Sequence, residues 1–240
     1  MNSSQWNNPL NLSQKKAAAY SNAAFMSRVY LWMTFGLLLT GGVAYQIAAT
    51  PYIMQNILSH SYIMIGLIIL QLGTVIALSA AIDRMSSLLA TSVYIFYTAL
   101  TGVTFSVLFL VYTSQSISQV FFLTSFAFAG LSAIGYLTKR DLGPIGSFCT
   151  IGLFGLIGFV FLALIFPSIL TNAVSMTIST LGIMIFAGLT AYDTQRIKSL
   201  NDATASFEEI KKRSIHGALM LYLDFINLFL NMLRLFGDRR

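Results

Sequence analysis

The sequence predicts an all-α integral membrane protein of seven transmembrane helices, with three helical hairpins wrapped around a central C-terminal helix. Of 240 residues, 56% are apolar and 9% charged, against about 25% charged in soluble domains. Too few charges are present to cover a water-facing surface, and a mean hydropathy of +0.76 agrees. The charges are also missing in blocks: 54 residues between Arg28 and Asp83, 54 between Arg84 and Lys139, and 51 between Asp141 and Asp193 contain no Lys, Arg, Asp or Glu. Each block has the length of two spans of about 20 residues and a turn. Each therefore reads as a hairpin with a neutral far turn and a charged near junction.

Residues 1–27, rich in Asn, Ser and Gln, read as a polar cytoplasmic tail, mostly disordered, because they lack the charged-then-apolar order of a signal peptide. Residues 28–240 form one membrane domain. Pro and polar clusters place the far turns at 50–61, 113–119 and 166–172, so the spans are 29–49, 62–82, 88–111, 120–138, 146–166 and 174–198. Pro51, Pro144 and Pro167 fall in connections and Pro9 in the tail, so none interrupts a span. A polar loop from about 200 to 213 leads to a seventh apolar segment, 214–236, long enough to cross fully rather than re-enter. Gly152, Gly155 and Gly158 in the fifth span permit close helix approach.

Eleven basic residues, from Lys15, Lys16 and Arg28 through Arg84, Lys139 and Arg140 to the 196–213 stretch, lie on one side of this arrangement, and the far turns hold none. The positive-inside rule places that side and the N-terminus in the cytoplasm. Only Arg234, Arg239 and Arg240 run against the rule. The net charge of +6 thus marks topology and does not call for nucleic acid. A single cysteine, Cys149, precludes a disulfide or thiolate cluster within the chain.

A carboxylate at membrane depth costs about 2.5–3.5 kcal/mol on insertion scales. Asp224 is the only charged residue between Arg213 and Arg234, and ten residues into its segment it lies about 15 Å deep. Asn227 and Asn231 share its helix face. Such a stripe belongs in the bundle interior, which makes the seventh helix central, and the two asparagines candidate pathway-lining residues. Asp193 ends the third uncharged block, with Arg196 one turn away. If the sixth span continues to about residue 200, Asp193 comes within a few ångströms, along the membrane normal, of meeting Asp224.

Two carboxylates that meet in a low dielectric do not comfortably both ionise. Singly protonated, the pair holds itself closed by a hydrogen bond. Doubly ionised, it repels itself and offers oxygens to a cation, and two carboxylates with Asn227, carbonyls and water make a weak, transient calcium site. Arg84, at the end of the first hairpin on the same side, is a candidate latch across the mouth. His60 and His216 read as interface residues.

At these residues the chain resembles the Bax inhibitor-1 (TMBIM) family, most closely its bacterial YccA-like branch. The stretches that carry the resemblance are Gly188-Leu-Thr-Ala-Tyr-Asp-Thr-Gln-Arg-Ile197 and Gly217-Ala-Leu-Met-Leu-Tyr-Leu-Asp-Phe-Ile-Asn-Leu-Phe229, supported by Val29-Tyr-Leu-Trp-Met-Thr-Phe-Gly-Leu-Leu39. The resemblance covers about residues 25–237. It implies three hairpins around a central last helix, a pH-sensitive calcium leak, a sensor of two buried aspartates matching Asp193 and Asp224, and an arginine latch for which Arg84 is the candidate by depth. The setting implied is a bacterial inner membrane.

The leading expectation is therefore a pH-gated calcium leak needing no cofactor, with calcium ions and protons as its ligands and the lipid bilayer as its surroundings. The alternative is a non-conducting regulator that binds a membrane-protein partner, in cell-death suppression or control of a membrane protease. An enzyme is not expected. Leu221-Tyr-Leu-Asp224 lacks the glycines of an intramembrane aspartyl protease, and neither Gly-x-Ser-x-Gly nor a phosphate-cradling Gly-x-x-x-x-Gly-Lys occurs.

Overall fold

The computed structural model describes the backbone of residues 9–202 and 204–240, with side chains except at 9–19, 58, 61 and 83. Residues 1–8 of the expected tail, and the Lys15, Lys16 and Asp83 side chains, lie outside the described residues. The helices are α1 (Pro9–Ala48), α2 (Pro51–Ser59), α3 (Ser61–Ala81), α4 (Ser87–Phe105), α5 (Leu108–Val111), α6 (Ser114–Leu137), α7 (Gly143–Ile165), α8 (Asn172–Ser199) and α9 (Phe207–Phe236). Seven stretches of these are long and apolar enough to cross a membrane, matching the seven expected spans.

Four boundaries differ from expectation, each for a local reason. The first helix starts at Pro9, inside the segment expected to be mostly disordered; Lys15 to Ala19 are good helix formers. The far turn at 50–61 contains α2, with Pro51 opening it and Met54 and Ile57 buried. The fourth span starts at Ser114, not 120, because Thr113 caps it by accepting from the Ser116 amide at 3.2 Å. The seventh starts at Phe207, not 214. Ser206 and Glu209 form a reciprocal capping box there, so the charges at 208–213 belong to two turns of helix rather than to a loop.

Helix α9 is central, as the polar stripe required: it packs on α8, α1, α6 and α4, and fourteen of its side chains are buried. The surrounding helices form two tiers. Helices α3 and α7 lie mainly against α4 and α8, and their outward faces are almost wholly apolar and exposed, as suits contact with lipid. On one side of α9, Tyr222 Oη shares a 2.7 Å hydrogen bond with Thr40 Oγ1, which donates to the Thr98 carbonyl at 2.8 Å. That chain joins α1, α4 and α9. On another side Phe225 stacks edge-on between Phe121 and Phe128 of α6, with ring centroids 5.4 and 5.5 Å away.

The seventh segment crosses completely. Its last residues lie beside the α5–α6 junction, where the Thr113 amide donates to Asp238 O and the Arg240 amide to Val111 O. The Asp238 amide donates to Ser116 Oγ at 2.9 Å. Arg239 and Arg240 therefore end on the side opposite the charged junctions.

Candidate functional site

The site is built where α8 and α9 run antiparallel in close contact. Two glycines set the register: a Cβ on Gly217 would strike Ile197, and one on Gly182 would strike the Asn231 side chain. In that register Asp193 lies about one turn, or ~5 Å along the axis, nearer the charged side than the level of Asp224. The two are close enough for the Asp193 charge to act on the Asp224 carboxyl.

Asp224 is 4% exposed, and its Oδ2 has no hydrogen-bond partner among the described residues. Asp193 is half-buried, and the Arg196 guanidinium acts on it electrostatically from the same helix. Asn227 and Asn231 are half-buried, Asn231 lying against Gly182. Their amide groups are turned back on α9, donating to the Leu223 and Asn227 carbonyls at 2.8 Å each. Their side-chain oxygens remain as acceptors on the stripe. Among the described residues, no three His, Cys, Asp or Glu side chains gather into a metal-binding cluster.

Arg84 closes a 3₁₀ turn, Ile82–Arg84, beyond α3. Ile82 lines a cavity at the charged end of the α8–α9 groove, but Arg84 itself is exposed, and among the described residues no ion pair or hydrogen bond joins it to either aspartate. Arg84 is thus on the exposed side of this turn, two residues from Ile82. The cavity, about 320 Å³, is bounded by Arg196, Glu209, Lys212, Arg213, His216 and Met220. Met220, in the wall of this cavity, is one helical turn from Asp224, which does not itself line it. His216, expected at the interface, sits in the same wall. His60 lies in the far turn, its Nδ1 3.1 Å from the Asn56 carbonyl.

Several residues beside Asp193 hold the site and were not singled out by sequence reasoning. Thr194 Oγ1 donates to the Thr190 carbonyl at 2.8 Å and reaches Ser132 Oγ of α6 at 3.2 Å. Gln195 accepts from the Leu142 amide and donates to the Arg140 carbonyl, both at 2.9 Å. Lys198 donates to the Tyr136 carbonyl at 3.0 Å. For Thr194 and Gln195 the signal lay in the Asp193-centred motif itself, whose polar residues find partners on α6 and on the α6–α7 connection. Their effect is to hold the end of α8, and with it Asp193, at one depth.

Comparison with known proteins finds matches over nearly the whole chain. The family described as "Inhibitor of apoptosis-promoting Bax1" matches residues 22–240. "Inner membrane protein YbhL" of Escherichia coli (strain K12) is 44% identical over 218 residues, covering 90% of this chain and 92% of that protein. A protein of Borreliella burgdorferi is 39% identical over 232 residues, covering 96% and 99%, and one of Deinococcus radiodurans is 39% identical over 215 residues, covering 90% of each. The seven apolar helices and these matches over nearly the whole chain lead to one conclusion: the protein belongs to the Bax inhibitor-1 family of integral membrane proteins.

Proposed function

We propose that the protein is a passive, pH-gated cation leak of the bacterial inner membrane, with calcium as the conducted ion and the Asp193–Asp224 pair as gate and transient binding site. The observation that carries this reading is the buried Asp224 Oδ2, at membrane depth and without a hydrogen-bond partner among the described residues. A carboxyl oxygen in that position is costly unless a proton, water or cation satisfies it. A proton shared with Asp193 closes the pair. Loss of that proton opens it, and weak binding by few charged oxygens lets the ion leave again.

Arg84 is the proposed latch, swinging in from its exposed turn to neutralise the pair. The second reading is a non-conducting regulator of a membrane-protein partner; the cavity at the charged end, whose wall holds Arg196, Lys212 and Arg213 beside one acidic residue, Glu209, is where such a partner would dock. No catalytic role is proposed.

Calcium uptake into sealed liposomes containing the purified protein, followed from pH 5 to 8, tests the leak. The native chain should give a flux above empty liposomes that rises as the pair loses its proton. Asp193→Asn and Asp224→Asn should each displace or abolish that pH profile. No flux, or variants that behave as native, would move the regulator into first place.

A further inference from the structure

We propose that the cleft between α1 and α6 is a binding site for an anionic phospholipid of the leaflet on the charged side, with one acyl chain in the cleft and its phosphate at Lys198. This inference is independent of the conduction reading. Helices α1 and α6 both pack on α9 but leave a gap between them, floored by Phe225. The gap is a cavity of about 580 Å³, within the range of pockets that enclose a ligand. It continues toward the charged face as a second cavity of about 480 Å³ that shares Tyr30, Thr34 and Tyr136 with the first.

The dimensions select the occupant. Along α1 the cleft runs from Ala23 to Leu38 and along α6 from Tyr136 to Phe121, about 22 Å on either wall. Half of a hydrocarbon core of roughly 30 Å, plus an interfacial layer, is that length. Beyond Leu38 and Phe121, Phe105, Phe109 and Ile117 line a remaining space of only about 90 Å³. A transmembrane helix of a partner would need a groove along the whole core, whereas a chain from one leaflet ends at this depth.

Charge selects the headgroup. Tyr136, at the mouth, is covered by Lys198, whose Nζ lies 4.5 Å from the ring centroid and donates to the Tyr136 carbonyl at 3.0 Å. An ammonium has three donors, so two remain for phosphate oxygens. Lys139 and Arg140, both exposed, follow within four residues of Tyr136, and no acidic side chain lines either cavity.

The test is native mass spectrometry of the detergent-purified full chain with equimolar phosphatidylglycerol and phosphatidylcholine of identical acyl chains. The native protein should retain one phosphatidylglycerol in preference to phosphatidylcholine. Lys198→Gln should lower that preference about fivefold while leaving phosphatidylcholine retention unchanged. Ala129→Trp, a substitution at an exposed position of the cleft wall, should lower retention of both lipids without changing the thermal midpoint. Equal retention of the two lipids by the native chain, an unchanged preference in Lys198→Gln, or a dimer that forms with exclusion of lipid would each overturn the proposal.

Discussion

Helices α7 and α9 are each long enough to cross the bilayer, yet they solve opposite problems. Helix α7 is apolar on every side, packs chiefly on α8 and buries three residues, Gly146, Cys149 and Ala163. Helix α9 carries Asp224, Asn227 and Asn231 along one side, meets four other helices and buries fourteen residues. Because lipid is as apolar as leucine, burial is not what brings apolar helices together in a membrane. Polarity decides which helix goes inside: one that lipid cannot solvate must be surrounded by protein, and one that lipid solvates on all sides stays outside.

Moving the carboxylate between the two helices should break the contrast most severely. Phe154, midway along α7 and 69% exposed, faces lipid, so Phe154→Asp should cost about 3 kcal/mol of insertion free energy. A glycosylation-mapped insertion assay would register this as a loss of the membrane-integrated fraction. Native Asp224, inside protein, should show no such defect.

Glycines provide the next contrast. Gly217→Leu drives a side chain into Ile197 and Val29, both fully buried, and should destabilise by about 1–3 kcal/mol, measured as the unfolding midpoint in detergent. Gly155 and Gly158 of α7 face open space, so Gly158→Leu should leave the midpoint within about 0.5 kcal/mol of native. Of the three α7 glycines expected to ease helix approach, only Gly152 does so, against Ile185.

A smaller effect is expected where α8 is tied down beside the site. Thr194→Val removes the hydroxyl that reaches Ser132, and interhelical hydrogen bonds of this kind contribute about 0.6 kcal/mol. The same unfolding assay should show a shift of that order, and, if the proposed leak operates, its pH profile should broaden as Asp193 loses its fixed depth.

The smallest effect lies outside the membrane, in the α8–α9 connection. The Thr204 hydroxyl and amide, donating to Asp202 Oδ1 at 2.7 and 2.9 Å, hold the Asp202 carboxyl below the usual carboxylate range, with Arg213 at 3.6 Å assisting. A carboxylate held low contributes order at neutral pH that is lost as pH falls through its folded-state pKa. Amide exchange of Thr204 should therefore accelerate only in acid below about pH 4, and Asp202→Asn should bring the faster exchange to neutral pH.

The parts of this protein legible in the sequence are those ruled by solvation. Three uncharged blocks and the polar stripe of Asp224, Asn227 and Asn231 were enough to read seven helices and a central last one. Helix starts were less legible because short polar residues serve both as loops and as caps. Ser206-x-x-Glu209 is a capping box readable in the chain, yet its charges read more simply as a loop, and Thr113 hid the start of α6 in the same way.

Tertiary structure alone decided what depends on register and partner. It decided that α1, α4, α6 and α8 form the inner tier and that Ile197 faces Gly217, which sets the gap between Asp193 and Asp224. It left Arg84 exposed in the turn beyond α3. It also clamped Asp238 to Arg240 onto the α5–α6 junction, and opened a cleft between α1 and α6 that stops at mid-depth. Solvation is a property each segment carries by itself and so can be read one residue at a time. Contacts between helices of similar hydropathy depend on shape, where one Cβ more or less moves a helix, and that is settled only when the partners are in place.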